Sequence, residues 1–161
     1  MTLPEYIKQT RTTDLVNTVR HAALGLISEV GEVYGVLAKI ERGDRIDRAE
    51  RMTGELGDVA WYLARLCDLF GKGSTTVLDS QPWLVNRSRE EVSGQIIQLG
   101  LNALTHPSES PSQYQLTCMW SRWARLCAVE NLDPATVLQA NLAKLRDRAA
   151  RKVLQGDGDH R

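Results

Sequence analysis

The chain has 161 residues, and its 20 Lys plus Arg are balanced by 20 Asp plus Glu. That length fits one domain able to bury about two-thirds of its unfolded surface, so no disulfide framework is required. The zero net charge excludes a general binder of nucleic-acid polymers, whose affinity rests on a basic excess, while leaving room for a small anionic ligand held by a local cluster of cations.

Helical periodicity runs through the chain. Pro4 to Arg11 predicts a short first helix. Leu15, Val19, Ala22, Leu26, Val33, Val36 and Ile40 recur at spacings of three, four and seven, which predicts a long second helix stopped at Gly43. Asp47, with Glu50 three residues on, reads as a capping box for a third helix. That helix carries Met52, Leu56, Val59, Leu63, Leu66 and Phe70 and stops at Gly71. Gly71 to Arg87 reads as a loop. Ser88 with Glu91 opens a fourth helix running to about Leu104. Pro107 and Pro111 place a turn over His106 to Ser112. Tyr114 to Glu130 is again apolar at helical spacing, with Trp120 and Trp123 (and Trp83 in the preceding loop) as expected anchors of this region. Asp133 and Pro134 open a last helix to about Val153, and the tail Gln155 to Arg161 does not continue it. The string Ala64-Arg65-Leu66-Cys67 recurs as Ala124-Arg125-Leu126-Cys127, as it would if the middle helix pair were a degenerate copy of the first.

No strand pattern competes, so the expected fold is an all-α bundle. Cys67, Cys118 and Cys127 are odd in number and lack metal-type spacing. They are expected as buried free thiols in apolar stripes. Met1 to Thr13 is polar, and no apolar run approaches the roughly 18 residues of a membrane span. The expectation is a soluble, cytoplasmic protein with no membrane partner.

Four carboxylates stand out. The second helix carries Glu29-x-x-Glu32 and the third carries Glu55-x-x-Asp58. A spacing of three puts each pair on one helix face. An E-x-x-E pair alone is usually a solvated face. Here, at about 100° per residue, Glu29 falls inside the apolar arc, Glu32 at its edge, Glu55 beside it and Asp58 further round. Carboxylates aimed at a helix seam repel unless basic partners or cations neutralise them. Oxygen ligands without His or Cys favour Mg2+, with Mn2+ as a substitute, and Mg2+ commonly completes its shell with substrate phosphates. A di-iron bundle would require a Glu-x-x-His motif, which His21, His106 and His160 do not supply.

Gly25 to Asp44 (GLISEVGEVYGVLAKIERGD) followed by Gly54 to Leu66 (GELGDVAWYLARL) resembles the MazG-like nucleoside triphosphate pyrophosphohydrolases, whose signature is E-x-x-E, a gap, then E-x-x-D. Glu5 to Thr13 and Asn141 to Arg161 resemble the ends of a phage and bacterial subgroup, so the likeness covers about the first 71 and the last 30 residues. The resemblance implies a single all-α domain over 1–161, of the MazG and dimeric dUTPase bundle type, working as a homodimer or higher oligomer. It also implies Mg2+-dependent hydrolysis of a nucleoside triphosphate to the monophosphate and pyrophosphate. Glu29, Glu32, Glu55 and Asp58 then serve as metal ligands and catalytic carboxylates. Asn141 and Lys144 match an N-x-x-K pattern near the phosphates, and Arg148, Asp159 and Arg161 follow as substrate contacts. Lys39 is a further phosphate candidate. Trp61 and Tyr62 are expected in the core rather than against a base.

Two departures matter. Ser28 stands where many members carry Glu, and residues from about 72 to 131 are an added helical segment. That segment is expected either to supply helices a partner subunit would otherwise give or to cover the site. The alternatives to the pyrophosphohydrolase are a dUTP- or dCTP-type diphosphatase of the same superfamily and a non-catalytic helical module that binds nucleotide or metal.

Overall fold

The computed structural model describes residues 1–74 and 86–154. Within them the chain forms α1 (Leu3–Thr10), a 3-10 turn (Arg11–Thr13), α2 (Val19–Glu41), α3 (Arg48–Leu69), α4 (Arg89–Thr105), α5 (Gln113–Val129) and α6 (Pro134–Ala150). The described residues contain no strand, so the all-α expectation holds. None of the described helices is long and apolar enough to cross a membrane.

The helix starts follow local chemistry. Side chains of Thr2, Thr18, Asp47, Ser88, Ser112 and Asp133 each accept a first-turn backbone N–H. Ser88 and Glu91 form the expected reciprocal box, whereas at Asp47 only the aspartate half is present. Gly43 (φ 90°) and Gly71 (φ 69°) end α2 and α3 in the left-handed region, as expected of helix stops.

The expected second helix is shortened. Its pattern began at Leu15, but α2 starts at Val19, and Leu15 and Val16 are exposed. Asp14 explains the difference. Its Oδ1 accepts the backbone N–H of Val16 and Asn17, and Asn17 takes φ 52°, a local turn that competes with helix. The other oxygen of Asp14 lies 2.6 Å from Arg65 Nε, with both side chains almost fully buried. Arg65 also donates to Asn17 and Asp68 at 2.8 Å. The connector is thereby tied to α3. At the far end α6 stops at Ala150 rather than Val153, with Lys152 left-handed.

One apolar cluster joins all six helices. α2 packs most extensively on α3, α4 lies along α2, and α3 also meets α1, α5 and α6. Gly100 of α4 permits the close approach to α2, since a Cβ there would stand 2.8 Å from Ile27. Trp120 and Trp123 of α5 are fully buried. Trp123 Nε1 donates to the Leu56 carbonyl at 2.9 Å and Trp120 Nε1 to Cys67 Sγ at 3.3 Å. They fasten the added segment to α3, as expected; Trp83 lies outside the described residues. Glu130, whose side chain is almost fully covered, ties the end of α5 to Arg48 and Arg89 at the starts of α3 and α4. Cys67 and Cys127 are buried free thiols as expected, but Cys118 is only half-buried.

Candidate metal centre

Glu29 is presented by α2, and Glu55 and Asp58 by α3, one turn apart. One oxygen from each of the three lies within 4.8 Å of the others. Glu55 is buried, and Glu29 and Asp58 are half-buried. Acidic groups this close and this dry cannot all stay ionised without compensation. Glu29 bears the consequence: burial, then the charges of Asp58 and Glu55, push its carboxyl up to about 8, with Lys144 giving partial relief. All-oxygen donors of this kind suit a hard divalent cation.

Asp58 is held from α6. Lys144 Nζ lies 2.6 Å from one of its oxygens, and Asn141 Nδ2 donates to the other at 2.9 Å. A carboxylate can only accept, so the amide nitrogen of Asn141 must face Asp58 and its carbonyl must face away. The carbonyl accepts from the Tyr6 hydroxyl at 2.9 Å. Tyr6 is fully buried, and burial together with the Asp58 charge raises its hydroxyl well above the usual tyrosine value, so it stays a donor. α6 comes this close because residue 57 is glycine: a Cβ there would stand 2.9 Å from Asn141 Cβ.

A cleft of about 500 Å³ opens between α3 and α6. Arg51, Gly54 and Glu55 line one wall, and Asn141, Lys144 and Arg148 line the other. The α6 residues follow the i, i+3, i+7 spacing of one helix face. Glu55, Asn141 and Lys144 belong both to the cleft and to the carboxylate group or its supports, so the cleft opens onto the carboxylates.

Of the residues singled out by sequence, Glu29, Glu55, Asp58, Asn141, Lys144 and Arg148 gather here. Glu32 does not join the trio; it is exposed, although its charge still reaches Glu29. Lys39 is also exposed, lies outside the cleft and acts on Asp44. Asp159 and Arg161 lie outside the described residues. Trp61 is buried and donates to Thr13 Oγ1 at 3.0 Å. Tyr62 covers Gly25 between Trp61 and His21. Both aromatics are packed in the helix seams, as expected. Sequence reasoning missed Arg51 and Tyr6. Arg51 had a signal, standing four residues before Glu55 on the same helix face; Tyr6 had none beyond helical spacing. No family model, curated protein or solved structure matches the chain.

Proposed function

We propose that the chain hydrolyses a nucleoside triphosphate to the monophosphate and pyrophosphate with Mg2+, as its resemblance to the MazG-like enzymes implies. One observation carries the reading: a carboxylate trio whose oxygens lie within 4.8 Å of one another opens onto a cleft walled by Arg51, Lys144 and Arg148. A metal site beside fixed cations is the arrangement a polyphosphate calls for.

Glu29, Glu55 and Asp58 would hold the cation, which supplies positive charge at the phosphates and acidifies water. The chain's own residues supply the remainder. Arg51 and Arg148 hold phosphate oxygens, for which the guanidinium fork is suited. Lys144, relieved of Asp58, turns its ammonium to the phosphates. Glu32, one turn along α2 and outside the trio, accepts the proton of the attacking water. A phosphorus–oxygen bond forms to that water as the anhydride bond joining the monophosphate to the pyrophosphate breaks.

Among the described residues, α4 and α5 contribute nothing to the lining of the cleft. They pack behind α2 and α3, which supports the added segment as a replacement for partner helices rather than a cover. One observation favours the non-catalytic reading: Asp58 is already satisfied by Lys144 and Asn141. A panel of ordinary, deoxy and damaged triphosphates, with pyrophosphate detection, decides between them. The expected result is Mg2+- or Mn2+-dependent release that disappears in Glu29→Gln and Asp58→Asn. Absence of turnover with every nucleotide, or full activity in those variants, overturns the enzyme reading.

A further inference from the structure

The hydroxyl of Tyr6 does no packing work, yet it is placed with care. Its ring is fully buried and stands edge-on to Trp120 of α5, at 6.4 Å between centroids and 88° between planes. The ring contact helps to fix where the phenolic oxygen lies. That hydroxyl reaches Asn141 from a helix 135 residues away in sequence.

Asp58 sets which end of the Asn141 amide faces it, and the Tyr6 donor is the second anchor: without it the amide is held at its nitrogen alone and its grip on the carboxylate loosens. With the donor in place, only one orientation satisfies all three groups.

We propose that Tyr6 is a positioning residue for the metal site: by donating to Asn141, it orients the amide that holds the Asp58 carboxylate toward Glu29 and Glu55. The proposal rests on the reading of Asp58 as a metal ligand. Partners that orient metal-binding side chains commonly control affinity by about tenfold or more when removed. The same relay gives α1 a part in the site, although no residue of α1 lines the cleft.

The test is calorimetric titration of the full chain with Mn2+ alone, with a thermal melt of each variant. Tyr6→Phe keeps the ring and its contact with Trp120 and removes only the donor. The expected result is Mn2+ affinity reduced by about tenfold. Asn141→Ala should lower it as well, and Tyr6→Phe combined with Asn141→Ala should be no weaker than Asn141→Ala, because the hydroxyl acts through the amide.

Thr13→Val is the control for mere loosening. It removes a buried hydrogen bond that ties the same N-terminal segment to Trp61 of α3 without touching the relay. It should lower the melting temperature and leave Mn2+ affinity unchanged. Unaltered Mn2+ binding in Tyr6→Phe overturns the proposal, as does equal weakening by Thr13→Val. A wild-type chain that binds no Mn2+ removes the metal reading and the proposal together. Wild-type binding lost in Asp58→Asn but intact in Tyr6→Phe removes the proposal alone.

Discussion

Glu29→Gln tests the carboxylate cluster without reference to catalysis. Burial and the charges of Asp58 and Glu55 hold the Glu29 carboxyl near 8 in the folded chain, against 4.5 for an ordinary glutamate. Between those values the native state keeps a proton that the unfolded chain has shed, so native stability falls as pH rises through that window. The contribution of the neutral carboxyl is whole below the unfolded value and lost as pH passes the folded one. Each tenfold change in proton affinity is worth about 1.4 kcal/mol, so the full conversion approaches about 5 kcal/mol. Solvent reaches part of this carboxyl, and screening brings the expectation down to about 2–4 kcal/mol. Glutamine carries no charge at any pH and escapes the loss. In urea denaturation with a chelator present, Glu29→Gln should match the wild type near pH 5 and exceed it by that amount at pH about 8.5. The difference belongs to the coupled cluster rather than to one group, because its members titrate together. Added Mn2+ should restore the wild type at the higher pH and help the variant less. A stability difference that stays flat between the two pH values, or reverses, refutes the crowding of the three carboxylates.

Two further substitutions probe the α6 side. Lys144→Met removes the ammonium that pairs with Asp58; the pair is partly exposed, at 28% and 22%, so it is worth at most about 1 kcal/mol. Mn2+ affinity should rise severalfold while nucleotide turnover collapses, and weaker Mn2+ binding by calorimetry would show that the lysine braces the site rather than competing for it. Gly57→Ala places a methyl 2.9 Å from Asn141 Cβ. The overpacking should cost about 1–3 kcal/mol in urea unfolding and weaken Mn2+ binding by pushing Asn141 off Asp58. Unchanged stability would mean that the α3–α6 seam has slack.

The helices were readable because their ends are written in local chemistry. Thr18 was obscured as a start by Leu15, whose spacing fits the stripe of α2 although Asp14 and Asn17 turn the chain there. Periodicity alone does not register that a short polar side chain has captured the backbone N–H groups a helix would use. Glu32 illustrates the same limit at the site. Three residues beyond Glu29, it is turned about 60° further from the apolar stripe at about 100° per residue. That angle separates a half-buried carboxyl from an exposed one. The spacing that marks a shared face does not tell which member of a pair faces the seam.

What compensates the carboxylates was harder to read, because it comes from distant parts of the chain. Asp58 depends on Asn141 and Lys144, more than 80 residues later, and Asn141 depends on Tyr6, near the beginning. The sequence pattern names an N-x-x-K stripe on the last helix but not the register at which that helix meets α3. The register depends on residue volumes: Gly57 admits Asn141, while Trp123, bonded to the Leu56 carbonyl, fills the side of α3 reached by α5. If α6 slid by a single turn, about 5.4 Å, Lys144 would lose Asp58 and the methyl-sized gap at Gly57 would face another side chain. Asp58 would then face Glu29 and Glu55 without its partly exposed lysine partner, at a cost of about 1 kcal/mol. The acidic group therefore specifies the packing of α6 as much as α6 specifies the site, and the two α5 tryptophans, within the added segment, secure the face of α3 on which both depend.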